Sequence, residues 1–302
     1  RIIASPSHGI NGSAQLRNRR LSAILWLPTM RILIVNDDGI NAKGLWALAE
    51  ALEPLGQIIA IAPDREQSGV GTSITLHQPV RVMEWASPLK GVTAYAIEGT
   101  PSDGVILALE SLVGRKIDLL VSGINEGANF GDDIFVSGTV GAAWQGFFRG
   151  VPSMAVSVAA LHNVHHEVAA EITRMLAVKV GEDSLPKPLF LNVNVPNLPL
   201  NQIQGIEVTE LGKRGFMDIV SEGNDGRRRW YWIARSRPTT QQVQGTDIWA
   251  VRNAKVSITP LHANLTAYYQ VDSLKSIRDS FIESLQERGL GSEPAPPRNP
   301  PR

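Results

Sequence analysis

Cysteine is absent from the 302 residues, which removes a disulfide framework, a thiolate metal site and a cysteine nucleophile together. Such a chain suits a reducing compartment, and a cytoplasmic location is expected. Net charge is lacking too, because 29 Lys and Arg stand against 29 Asp and Glu. A binder that tracks phosphates carries a clustered basic excess, so no nucleic-acid partner is expected. Long apolar runs are missing: the stretch from Leu21 to Leu27 is stopped by Pro28 and Arg31, whereas a bilayer span needs about 20 residues. No membrane partner is expected. G-x-G-x-x-G after the first strand, G-x-x-x-x-G-K-[ST] and G-x-S-x-G are also absent, so dinucleotide, P-loop and serine-hydrolase readings lose their basis.

What is present is ordinary globular material, 43% hydrophobic and 19% charged, far from the composition of disordered chains. The ends differ from the middle. Residues 1–29 hold Arg1, Arg17, Arg19 and Arg20 and no acid. They are read as an extension without structure ahead of a natural start at Met30, although an Arg-rich lead without acids is also what a targeting peptide looks like. Residues 291–302 (GSEPAPPRNPPR) hold five prolines and are expected to form a disordered tail.

Between the ends, short branched apolar runs alternate with helical periodicity. Arg31 to Asn36 reads as a strand, Leu45, Leu48, Ala49, Leu52 and Leu55 as a helix face, and Gln57 to Ala62 as a strand again. The pattern continues with a strand at Ala94–Ile97, a helix from Pro101 to Leu112, a strand at Asp118–Val121, a helix from Val140 to Phe148 and a strand at Ser153–Val158. A helix from about His165 to Val180 and a strand at Leu189–Val195 follow. Thr100, with Pro101 and then Asp103, reads as a capped helix start. Such alternation predicts an α/β fold, a Rossmann-like doubly wound and mostly parallel sheet in three layers. After Pro196 strands are expected at Ile203–Leu211, Arg229–Ala234 and Lys255–Leu261, with a last helix at Leu274–Leu285. The division expected is a core at 30–196 and a smaller β-rich region with the final helix at 197–290, which is expected to serve oligomerisation.

In an open α/β sheet, ligands bind beyond the carboxyl ends of the strands, and there the polar residues gather. Asp37 and Asp38 follow the first strand, Asp64 to Ser68 the second, Ser122 to Asn125 the Asp118 strand, and Asn192 and Asn194 lie on the Leu189 strand. Adjacent carboxylates in a crevice repel each other and call for a cation or several donors; the plainer alternative is an Asx-turn with Gly39 at its bend. Asn125 can offer an amide oxygen and Ser68 a hydroxyl, which completes an all-oxygen set suited to Mg²⁺ or Mn²⁺. The loop Gly127-Ala128-Asn129 is longer than a turn needs. Ser137-Gly138-Thr139 precedes a helix and is either an anion site or a cap. A metal beside an anion-binding helix end suits phosphoryl transfer. His77 is read as structural at a strand end, and His165 and His166 as capping or solvated. In Arg227 to Trp232 the aromatics are expected to pack on a neighbour while the arginines stay wet.

MRILIVNDDGINAKG, APDREQSGVGTSITL, EGTPSDGVILAL, VSGINEGANFGDDIFVSGTVGAA and GVPSMAVSV together resemble the SurE family of 5′-nucleotidases. FLNVNVP, GIEVTELGKR and KVSITPL extend the similarity over roughly residues 30 to 270. The resemblance implies a metal-dependent phosphatase of nucleoside 5′-monophosphates that works by metal-activated water. It places one divalent ion, Mg²⁺ or Mn²⁺, on Asp37, Asp38, Ser68 and Asn125, with Asp37 and Asp38 catalytic. Phosphate contacts fall on Gly127, Asn129, Ser137, Gly138 and Thr139. A homodimer or tetramer is implied, with the C-terminal β region commonly exchanged between subunits. Val136, Gln145, Gly104 and Gly71-Thr72 depart from the usual family pattern without touching the ligand set. The rival readings are a sensor that binds metal or nucleotide without turnover, and a phosphatase with a covalent aspartyl-phosphate intermediate; the latter lacks its D-x-D spacing.

Overall fold

Ile32, Leu33, Ile34 and Val35 are wholly buried, as a strand covered on both faces by helices requires. In the computed structural model this run lies within β1 (Met30–Val35). The structure describes residues 29–113, 116–213, 217–236 and 243–288. The expected tail and all but the last residue of the expected 1–29 extension lie outside the described residues.

From β1 the chain runs through α1 (Lys43–Leu52), β2 (Gly56–Pro63), β3 (Val82–Glu84) and β4 (Thr93–Ile97). Helix α2 (Pro101–Leu107) loosens into a π turn at Ala108–Leu112 and leads to β5 (Leu119–Glu126). The 3₁₀ turn Gly131–Phe135, α3 (Gly138–Phe148), β6 (Ser153–Val158), α4 (His166–Gly181) and β7 (Phe190–Val195) complete the predicted alternation. Then come β8 (Ile206–Val208), β9 (Met217–Asn224), β10 (Arg229–Ser236), α5 (Asp247–Arg252) and β11 (Val256–Pro260).

These strands build a nine-stranded sheet in the order β3-β4-β2-β1-β5-β6-β7-β11-β8. Six neighbours from β4 to β7 run parallel, while β3 and β11 join antiparallel. Helices α1 and α4 pack together, as do α2 and α3. The chain winds outward from β1 through β2 to β4, then returns to place β5 on the other flank of β1. The winding reverses between β1 and β5, the crevice where doubly wound sheets bind ligands. Thr100 caps α2 in a full capping box with Asp103, as its spacing predicts.

Two expectations are redrawn beyond Pro196. Strands β8 and β11 extend the main sheet through β11 pairing with β7, so only the β9–β10 hairpin forms a sheet of its own. Residues 262–302 form a separate unit, and its described part holds two helices, α6 (Tyr268–Ser276) and α7 (Arg278–Glu287), instead of one. Among the described residues no helix is long and apolar enough to cross a membrane.

Candidate active site

The turn after β1 is closed by Asn36, not by either aspartate. Its amide donates to the Gly39 carbonyl at 3.1 Å and its Oδ1 accepts the Gly39 N–H at 3.2 Å, while Gly39 takes a φ of +100° that favours glycine. Both carboxylates are thereby released from turn duty.

Asp37 is only 3% exposed and meets the N-terminus of α3. Thr139 Oγ1 donates to its Oδ1 at 2.5 Å. At Gly138 a Cβ would stand 2.8 Å from Asp37 Oδ2, so only glycine lets the helix end lie flush against this carboxylate. Burial pushes the Asp37 pKa up, with hydrogen bonding from Thr139 opposing it. Asp38 Oδ2 is buried without a hydrogen-bond donor among the described residues. Its pKa rises to about 7, first through burial, then through the charges of Asp37 and Glu126. Hydrogen bonding from the Glu126 backbone pulls the other way, and it places Asp38 beside the end of β5.

Asn125 comes immediately before Glu126, after a register shift between Ser122 and Asn125 where β5 meets β6; such irregularities re-aim side chains. Its Nδ2 donates to the Gly127 carbonyl at 2.6 Å, which commits the amide nitrogen and leaves the carbonyl oxygen as the group to offer. Ser68 reaches this edge because the Gln67 N–H bonds the Asp37 carbonyl at 2.7 Å. The Ser68 hydroxyl itself is donated to Glu66 at 2.7 Å. The structure brings its loop to Asp37 and shows no contact of the Ser68 hydroxyl with either carboxylate.

A repelling carboxylate pair with an orphaned buried oxygen, with Asn125 next in the chain to the Glu126 backbone that bonds Asp38, suits a hard divalent ion. Among the described residues no group of three or more His, Cys, Asp or Glu side chains converges to hold a metal. A site here would thus draw on neutral oxygens as well, which fits Mg²⁺ or Mn²⁺ and not zinc.

The remaining expected residues divide in role. Ser137 Oγ caps α3 by accepting the Val140 N–H at 3.1 Å. Gly127 donates its N–H to the Val158 carbonyl at 3.0 Å. Asn129 is bound into a buried network: its N–H reaches Asn194 Oδ1 and its Nδ2 reaches Ser157 Oγ, both at 2.9 Å. Asn192 and Asn194 in turn donate to its carbonyl. Both residues fix the loop between β5 and α3. His77 is exposed in a segment outside any strand, which corrects its placing at a strand end. His165 pairs with Glu167 at 2.7 Å, whereas His166, with its side chain only 12% exposed, meets Glu126 at 3.1 Å and is not solvated. Trp230 packs as expected, its ring lying over Gly223 of the paired strand, where a Cβ would stand 2.0 Å away, whereas Tyr231 and Trp232 stay exposed on the hairpin. The Glu126–His166 contact went unseen in the sequence, since 40 positions separate the two.

The family described as "Survival protein SurE" matches residues 32–218. The 5′-nucleotidase SurE of Dehalococcoides mccartyi (strain CBDB1) is 46% identical over 238 residues, covering 78% of this chain and 90% of that protein. That of Geobacter sulfurreducens is 43% identical over 249 residues, covering 82% and 93%. The crystal structure of the SurE protein from Aquifex aeolicus superposes with a TM-score of 0.72 at 40% identity, over 82% of this chain and 99% of that one. With the family match spanning most of the doubly wound sheet and the relatives aligned along nearly their whole length, the chain belongs to the SurE family.

Proposed function

We propose that the chain is a metal-dependent 5′-nucleotidase that hydrolyses nucleoside 5′-monophosphates to nucleoside and inorganic phosphate. The observation that carries the reading is the paired carboxylate at the tip of β1. Asp37 is gripped by the α3 N-terminus, and Asp38 keeps a buried oxygen without a donor. A bound Mg²⁺ or Mn²⁺, held by Asp37, Asp38, Asn125 and Ser68, supplies Lewis-acid polarisation of the phosphoryl group and a more acidic water.

The chain's own groups do the rest. Thr139 fixes the orientation of Asp37, and the Glu126 backbone steadies Asp38. Ser137, Gly138 and Thr139 present the positive end of the α3 dipole to phosphoryl oxygens. The Asn129 network holds the loop that walls this side. Uncatalysed monoester hydrolysis needs up to ~10²¹-fold acceleration, beyond the reach of an anion pocket alone.

A homodimer or tetramer is part of the reading. The hairpin exposes apolar side chains on both faces, with Trp232 at 67% and Ile233 at 73%, and a two-stranded hairpin is marginal by itself. The absence of cysteine suits a cytoplasmic setting. The test is phosphate release from AMP and GMP with Mn²⁺, Mg²⁺ or Ca²⁺, for wild type and Asp38→Ala. Release that needs the ion and is lost with chelator or in the variant supports the reading. Tight nucleotide binding without release under any ion refutes it and favours a sensor.

A further inference from the structure

Asp247 lies outside the proposed ligand set and is wholly buried. Its two oxygens divide their work. Oδ2 accepts the Gly131 N–H, while Oδ1 accepts the N–H groups of Gly212 and Ile248, all at 2.8 Å. Helix initiation does not call for this buried charge, because Thr246 already caps α5 through the Trp249 N–H. The two bound segments meet without room for side chains. A Cβ on Gly131 would stand 2.3 Å from the Gly212 carbonyl oxygen, and one on Gly212 would stand 2.9 Å from Asp247 Oδ1.

Gly131 opens the 3₁₀ turn that delivers the chain to α3. The N–H groups of Val136 and Ser137 both bond the Asp133 carbonyl at 3.1 Å; Ser137 then caps the helix whose Thr139 grips Asp37. The links are hydrogen bonds of 2.5 to 3.1 Å and stretches of at most two residues along the chain. On the other side, Gly212 lies on the chain that enters the β9–β10 hairpin.

We infer that Asp247 is a positioning residue of this site: it pins the loop at Gly131 so that the α3 N-terminus stays seated on Asp37, and ties that seating to the root of the hairpin. The kinetic part rests on the nucleotidase reading; the clamp does not. Asp247→Asn keeps the side chain's shape but leaves one acceptor oxygen for three N–H donors, so an NH₂ group must face an N–H. Oδ1 serves two donors, so the amide nitrogen turns toward Gly131.

The experiment compares wild type, D247N and T246A as full chains, with AMP and saturating Mn²⁺. T246A weakens the same helix without touching Gly131. For D247N, kcat should fall about ten- to a hundredfold while KM moves less than about threefold, since misplacement acts on the reacting geometry. Hydrogen exchange should quicken across residues 127–137. T246A should keep kcat within about twofold. Unchanged kcat in D247N, or an equal loss in T246A at a matched drop in Tm, overturns the inference. Should wild type release no phosphate, the nucleotidase reading fails by itself, and unaltered exchange at 127–137 in D247N would still sink the clamp. If D247N does not fold, Gly131→Ala breaks the clamp from the loop side and is held to the same outcomes.

Discussion

Replacing Asp38 by asparagine removes a charge that the metal-free fold tolerates badly. Burial, then Asp37, then Glu126 raise its pKa from 3.8 to about 7. One unit corresponds to about 1.4 kcal/mol, so some three units correspond to about 4 kcal/mol against the metal-free fold above neutrality, and about 2 kcal/mol if the site relaxes by half. The sign follows from the raised carboxyl pKa. The group's contribution to stability is fully present below the unfolded value near 3.8 and is lost as pH climbs through about 7. In EDTA, D38N and wild type should therefore unfold alike near pH 4 and diverge above it. By pH 8 the variant should be the more stable by about 2–4 kcal/mol, worth several degrees in Tm for a chain of this size. Saturating Mn²⁺ should close the gap and, at about 1,000 times its Kd, cancel even the upper end of it, because such an ion adds about 4.1 kcal/mol to the protein that binds it. Thermal unfolding across pH 4–8, with EDTA or Mn²⁺, reads all of this. Parallel pH profiles in EDTA, or equal stabilisation of both proteins by Mn²⁺, would refute the reasoning.

Gly138→Ala pushes a methyl group to 2.8 Å from Asp37 Oδ2 and should lower kcat/KM at least about a hundredfold, measured by phosphate release with AMP. Thr139→Val leaves the buried Asp37 without its hydroxyl donor; a loss of about 1.5–3 kcal/mol is expected for a hydrogen bond to a charged group. It should appear as at least tenfold weaker Mn²⁺ binding in calorimetry. Replacing Trp230 and Trp232, the first half exposed and the second mostly exposed on the hairpin, with serine should shift the protein toward monomer in light scattering and lower Tm, because the partner no longer stabilises the fold.

The sheet was legible because its strands are buried on both faces, so β1, β6 and β7 read as apolar runs without needing their neighbours. The Thr100–Asp103 capping box was legible because it closes within one helical turn. Beyond Pro196 the local signal still marked strands but carried no information about which sheet they join. Only β11 pairing with β7 settles that. The break of the expected last helix at Ile277 lies in a segment where no described residue of either helix is buried, so apolar spacing alone had nothing to register against.

At the site the residue types were visible and the division of labour was not. N-D-D-G announces a turn and two carboxylates, yet adjacent residues compete for the turn, and the sequence does not say that Asn36 takes it. Ser137-Gly138-Thr139 likewise reads as a cap or an anion site on local grounds. The anion it meets in this structure is Asp37, whose contact with Thr139 spans 102 positions. Asp247 repeats the pattern across 116 positions. Both are carboxylates joined to a glycine-bearing segment far away in the chain, and in both the glycine is what permits the approach. A buried carboxylate beside a distant glycine is thus the recurring means by which strand-end loops are fixed here. It follows that substitutions at Gly131 and Gly138 should disturb the site more than changes to the larger polar side chains on the loop's exposed side, Asp132 among them.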